Sequence, residues 1–145
     1  MTHARAVALI GRYPIIICVT IVMHFVWSIS VGIDPGAVHA TALHTVMTVA
    51  GNPAVAALIF GSVAMVAALG LTMRDRYVRV FFILPQQIVL WFSIVGAGHA
   101  MWLGQFADGV QRSNWFLIVD QIPVVLIALG HTAALLLIAE NGRGD

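Results

Sequence analysis

The sequence predicts an all-α integral membrane protein, a four-transmembrane-helix bundle with a short interfacial helix between spans 1 and 2. Three observations carry that expectation. Hydrophobic residues make up 61% of the 145 positions and charged residues only 9%, whereas a soluble domain carries about a quarter charged residues. Too little polar surface exists to cover a water-exposed globule, so lipid must cover it. Four apolar runs are also long enough to cross a bilayer core, which takes about 20 helical residues. Finally, the arginines collect in alternate connecting segments, as they do in a chain that threads back and forth through a membrane.

The spans are expected at Pro14 to Val31, Pro53 to Leu71, Val80 to Trp102 and Phe116 to Ala139, within one domain over residues 1–145. Pro14 and Pro53 stand at first-turn positions where a missing N–H costs nothing, and Asn52 before Pro53 is a good N-cap. Pro85 and Pro123 fall inside their runs and should kink the third and fourth helices, each freeing a carbonyl. Polar residues stand beside both: Gln86 and Gln87 after the first, Asp120 and Gln121 before the second.

Arg5 and Arg12 precede the first span, Arg74, Arg76 and Arg79 separate the second from the third, and Arg143 follows the fourth. Only Arg112 lies in the other loops. This asymmetry places both termini in the cytoplasm and the protein in the cell membrane. Trp102 and Trp115 then mark the outer interface. A cleaved signal peptide ending near Val38-His39-Ala40 competes for the first span, but the apolar run is long for one.

Between the first two spans, Asp34-Pro35-Gly36 reads as a turn and Ala37 to Ala50 has helical phase. Thr41, His44, Thr45 and Thr48 share one face; His39, Leu43, Val46, Met47 and Ala50 share the other. Such a helix is expected to lie in the outer interface. Fusing it to the second span would make a helix too long for one crossing.

Composition also excludes functions. The chain has no lysine, so no Schiff base, and no retinal linkage, can form. A formal net charge of +1 leaves no basic patch for a nucleic-acid partner. Cys18 is the sole cysteine and reads as a small buried hydrophobe.

Candidate functional residues lie on helix faces. In the second span Ala54, Ala57, Gly61, Ala64 and Ala68 form a flank of small residues that lets helix backbones approach. Packing within the chain is the first reading of that flank, and a homo-oligomer interface the second. The third span aligns Gln86, Ser93 and Ala97. The first carries a Thr20, His24, Ser28 stripe, and the fourth brings Asp120 and His131 to nearly one angle. These faces should meet inside the bundle. Asp120, Gln121, His131, His24 and Gln86 are therefore expected either to line a polar path or to hydrogen-bond one another as interhelical glue.

No cofactor is expected on the first reading, and haem b is the alternative. His24 and His131 lie at one depth, roughly 13 to 15 Å from the cytoplasmic end, as bis-histidine ligation requires. His44 and His99 would make a second, outer pair. No zinc-protease motif, nucleophile elbow or phosphate loop is present, so the chain is expected to be non-enzymatic, without a metal site.

The stretches LPQQ (Leu84 to Gln87), QFADGVQRSNWFLIVDQIP (Gln105 to Pro123) and GHT (Gly130 to Thr132) resemble small four-pass membrane proteins of actinobacteria and their phages and prophages. The likeness covers roughly the C-terminal half. It implies a phage-type membrane effector: a holin-like pore, or a defence or superinfection-exclusion factor. Holins commonly add a charged C-terminal tail, where this sequence has the short, mixed Glu140 to Asp145. The expected partners are the lipid bilayer and further copies of the chain, with a cytoplasmic partner protein left open.

Overall fold

The computed structural model describes residues 15–35, 41–102 and 114–140. These form five helices: α1 (Ile15–Ile33), α2 (Thr41–Ala50), α3 (Pro53–Thr72), α4 (Arg76–Trp102) and α5 (Asn114–Glu140). Four of them, all but α2, are long and apolar enough to cross a membrane. The all-helical four-span expectation holds. The protein is a small multi-pass membrane protein whose outward face is apolar, with Ile15, Ile33, Phe81, Val95 and Leu126 among its exposed side chains.

Local chemistry sets the helix ends. Gly51 has φ +66°, a left-handed conformation that favours glycine, and its N–H bonds back to the Met47 carbonyl at 3.0 Å. That closes α2. Asn52 then caps α3, its side-chain oxygen accepting from the Ala54 N–H at 2.8 Å, with Pro53 at the first helical position. Two residues, Gly51 and Asn52, therefore separate α2 from α3. At the other end of α3, Arg79 reaches back and donates through Nη2 to the Met73 carbonyl at 2.6 Å. Asp75 Oδ1 accepts from the Val78 N–H at 3.0 Å. This cap starts α4 at Arg76, four residues before the apolar run begins, which is why hydropathy alone places its start late.

Pro85 and Pro123 lie inside α4 and α5, and both helices run through them. The expected interruption is thus one missing N–H within a continuous helix.

The four spans alternate up and down and close a ring: α1 packs on α3 and α5, and α4 packs on the same two. α2 sits over one end, touching α3, α4 and α5. Leu43 and Val46 of its apolar face are buried with Val31, Ala56 and Phe60. The helix phase read from sequence is correct, and that face is turned onto the bundle itself. Thr45, from the opposite face, lies against Gly96, where an added Cβ would fall 2.0 Å from its Cγ2.

Apolar layers fill both ends of the interior. Away from α2, Ile17, Ile21, Ala64, Ala67, Ile83, Ala134, Leu135 and Ile138 form one cluster. Leu90, Val124 and Ala128 form another, packed by Trp27 and Trp91. Cys18 corrects the sequence reading: it is exposed on the outside of α1, because the α1 face buried in the bundle is the one carrying Ile17, Thr20, Ile21 and His24.

Candidate functional site: a histidine–glutamine layer at mid-depth

Between the apolar layers, three of the spans place polar side chains at one level. His24 lies nine residues from the start of α1, Gln86 ten from the start of α4, and His131 nine from the end of α5. At 1.5 Å per residue all three stand about 14 Å from the same end of the bundle. Each is fully buried.

The α1 stripe is satisfied mostly by backbone. Thr20 Oγ1 donates to the Ile16 carbonyl at 2.6 Å, and Ser28 Oγ donates across to the Ala57 carbonyl of α3 at 2.7 Å. His24 Nδ1 lies 2.8 Å from the Thr20 carbonyl. A carbonyl only accepts, so Nδ1 carries the proton. The opposite nitrogen, Nε2, is buried with no hydrogen-bond partner. The His24 ring packs against Trp27 and Phe60, with centroids 5.3 and 5.9 Å away.

On the far side, two adjacent glutamines of α4 hold His131 between them. Gln86 Oε1 is 2.9 Å from His131 Nε2, and Gln86 Nε2 is 3.5 Å from His24 Nδ1. Gln87 Oε1 meets His131 Nδ1. The amide nitrogen of Gln87 donates to Thr132 Oγ1 at 2.5 Å. Thr132 in turn donates to the Ala128 carbonyl at 2.8 Å and accepts from Trp91 Nε1 at 3.3 Å. Two neighbours on a helix point about 100° apart, so Gln86 and Gln87 straddle the α5 ridge that bears His131.

Of the residues expected at the site, His24, Gln86 and His131 come together. Gln121 is buried ten residues away along α5, and both its amide atoms are buried without partners. Asp120 lies in α5, but its side chain falls outside the described residues, as does that of His44. His99 is exposed on α4, facing away from the interior. The small-residue flank packs within the chain except at Ala54, which is exposed. Ala64 is fully buried, Ala57 and Ala68 partly so, and a Cβ on Gly61 would stand 3.0 Å from Ser28 Oγ of α1.

Sequence reading missed the parts played by Gln87, Trp91 and Thr132. The signal was available in two doublets, Gln86-Gln87 and His131-Thr132, which fall at the same depth on neighbouring antiparallel helices. It also missed Gly70. An added Cβ there would lie 2.8 Å from Phe82 Cβ, so this glycine marks a tight α3–α4 approach, as Gly61 marks the approach of α3 to α1.

The histidine pair does not fit bis-histidine haem ligation in this arrangement. Both His131 nitrogens are engaged by glutamines, and Gln86 stands between the two rings. Among the described residues no group of three or more histidine, cysteine or acidic side chains could hold a metal ion.

Fold and site together define a four-pass helical membrane protein with a hydrogen-bonded polar layer at mid-depth. The chain matches no family model, no curated protein and no solved structure.

Proposed function

We propose that this chain is a non-enzymatic membrane effector of the phage or prophage type, acting on bilayer integrity or on access across the bilayer. One observation carries the reading. The clustered polar chemistry of the described residues, His24, Gln86, Gln87, His131 and Thr132, lies at mid-depth in the bundle and not at an aqueous surface. A protein built this way works on the membrane or on what crosses it. The same layer closes the middle of a single bundle with direct side-chain bonds, so the holin-like form of the activity uses a path between copies of the chain. Exclusion of an incoming phage is the other form, and needs only that the protein occupy the membrane.

The proposal includes an orientation with both termini cytoplasmic, a homo-oligomeric assembly, and no bound cofactor. Expression in a bacterial host should collapse the membrane potential read by a voltage-sensitive dye, or lower the plating efficiency of a challenging phage. High expression with normal potential and normal plating sinks the reading. Reporter fusions after Arg76 and at the C-terminus should report cytoplasm, and one at Gly109 the outside. Purified protein should lack a Soret band; its presence would restore the haem alternative.

A further inference from the structure

We infer that the mid-depth layer is a proton-binding site, in which His131 Nε2 takes up one proton and the Gln86 amide turns over to receive it.

The inference follows from counting donors and acceptors. The hydroxyl proton of Thr132 is committed to the Ala128 carbonyl. Thr132 Oγ1 can therefore only accept from Gln87, which must present its NH2 there and its Oε1 to His131. That oxygen requires a proton on His131 Nδ1. The Thr20 carbonyl fixes a proton on His24 Nδ1 in the same way. Both rings are thus locked as Nδ1–H tautomers, and each has one nitrogen, Nε2, whose occupancy is free to change.

The two free nitrogens have different surroundings. His131 Nε2 faces the Gln86 amide at 2.9 Å. With Nε2 bare, Gln86 serves it by presenting its NH2, which turns Oε1 toward the His24 Nδ1–H. With Nε2 protonated, a half-turn of the amide presents Oε1, the orientation the structure records, so that both N–H groups of the imidazolium donate to glutamine oxygens. Amide oxygen and nitrogen are interchangeable in outline, so the same space holds either form, and a charged donor gains the stronger bonds. His24 Nε2 has no such partner. The His24 ring packs against Trp27 and Phe60, and aromatic rings accept less strongly than an amide oxygen. One charge beside Gln86 also opposes a second on the neighbouring histidine.

No other ionisable group competes at this level among the described residues. α1 presents only His24; Cys18 faces outward. α3, from Pro53 to Thr72, contains no ionisable residue. On α4, Arg76, Tyr77, Arg79 and His99 lie near the ends. On α5 Glu140 terminates the helix, while Asp120 there and His44 on α2 belong to segments eleven residues or more along their helices or at the bundle's end.

The test is nitrogen NMR of uniformly 15N,13C-labelled full-length protein in phosphatidylethanolamine–phosphatidylglycerol vesicles, titrated with acid. The His131 ring is assigned through Gly130 and Thr132. Both rings should begin as Nδ1–H tautomers, and His131 Nε2 should protonate while His24 stays neutral. Gln86→Glu, an acceptor in both orientations, should raise the His131 midpoint by about one pH unit or more, a tenfold gain in proton affinity. Gln86→Leu should lower it. A neutral His131 carrying its proton on Nε2, a first proton on His24, or a midpoint indifferent to Gln86→Glu would each overturn the inference. Because the wild-type tautomers are read directly, misfolding of either variant leaves the test intact.

Discussion

The polar layer and the apolar layer beside it occupy the same bundle a turn or two apart, yet they are held by different forces. Ile17, Ala64, Ala67, Ile83, Ala134, Leu135 and Ile138 meet through shape alone. In a membrane that contact has no hydrophobic driving force, because lipid tails are as apolar as the side chains. The His24–Gln86–His131–Gln87 layer is held by directed bonds, each member needing a particular partner at a particular atom. The first layer should tolerate changes that preserve volume, and the second should not.

The largest expected effect comes from His131→Leu. It leaves the Gln87 oxygen and the Gln86 amide group that faced His131 buried and unpaired, each at about 1–3 kcal/mol, so the bundle should lose about 2–4 kcal/mol in reversible unfolding from mixed micelles. Leu135→Ala, one turn along the same helix in the apolar layer, should cost about 1–2 kcal/mol, since only the cavity part of the usual penalty remains in lipid. If Leu135→Ala proves the more damaging of the two, the contrast between the layers is wrong.

Gly70→Ala comes next. Its methyl would meet Phe82 Cβ at 2.8 Å and the Arg79 carbonyl at 3.3 Å, atoms that cannot swing aside, so α3 and α4 must separate at a cost of about 1–3 kcal/mol. Gly61→Ala meets the Ser28 hydroxyl, which can rotate, and should cost less. Equal losses would mean that the α3–α4 approach is looser than its geometry. Gly61→Leu is too large for that rotation and should disturb the α1–α3 contact. Crosslinking of intact membranes then distinguishes a packing defect from loss of an oligomer. The smallest effect is Ser28→Ala, which removes one bond to the Ala57 carbonyl and should cost about 0.6 kcal/mol. Thermal stability in detergent would sharpen the ranking.

Much of this was legible in the sequence. Hydropathy located the four spans, and the Asn52-Pro53 pair fixed the start of α3, because a cap is local chemistry. The inward faces were legible too: Thr20, His24 and Ser28 share a face by helix periodicity alone. Contacts that depend on two helices were less so. Gln87 stands about 100° from Gln86 on α4, and nothing in one helix says that both point inward; the α5 ridge between them decides it. Gly70 looked like any residue near a helix end until Phe82 was placed against it. His44 and His99 matched in depth, but depth says nothing of azimuth, and His99 faces outward. Cys18 shows the same limit in reverse. An apolar neighbourhood in sequence does not separate a lipid-facing position from a buried one.

The straddling of His131 by two adjacent glutamines also bears on how the bundle is assembled. Membrane helices insert singly and pair afterwards, and smooth apolar ridges can pair in more than one vertical alignment. Sliding α5 past α4 by one turn, about 5.4 Å, would keep leucine against isoleucine but carry His131 off both amides. The polar layer therefore acts as a latch that selects one alignment. Cysteine pairs across α4 and α5 should crosslink at a single step in the wild type. With Gln86 and Gln87 both changed to leucine, crosslinks should also form one turn away. A single step in both would show that the apolar ridges set the alignment by themselves. The two glutamines then matter most at the moment of pairing, before the finished bundle has any function to perform.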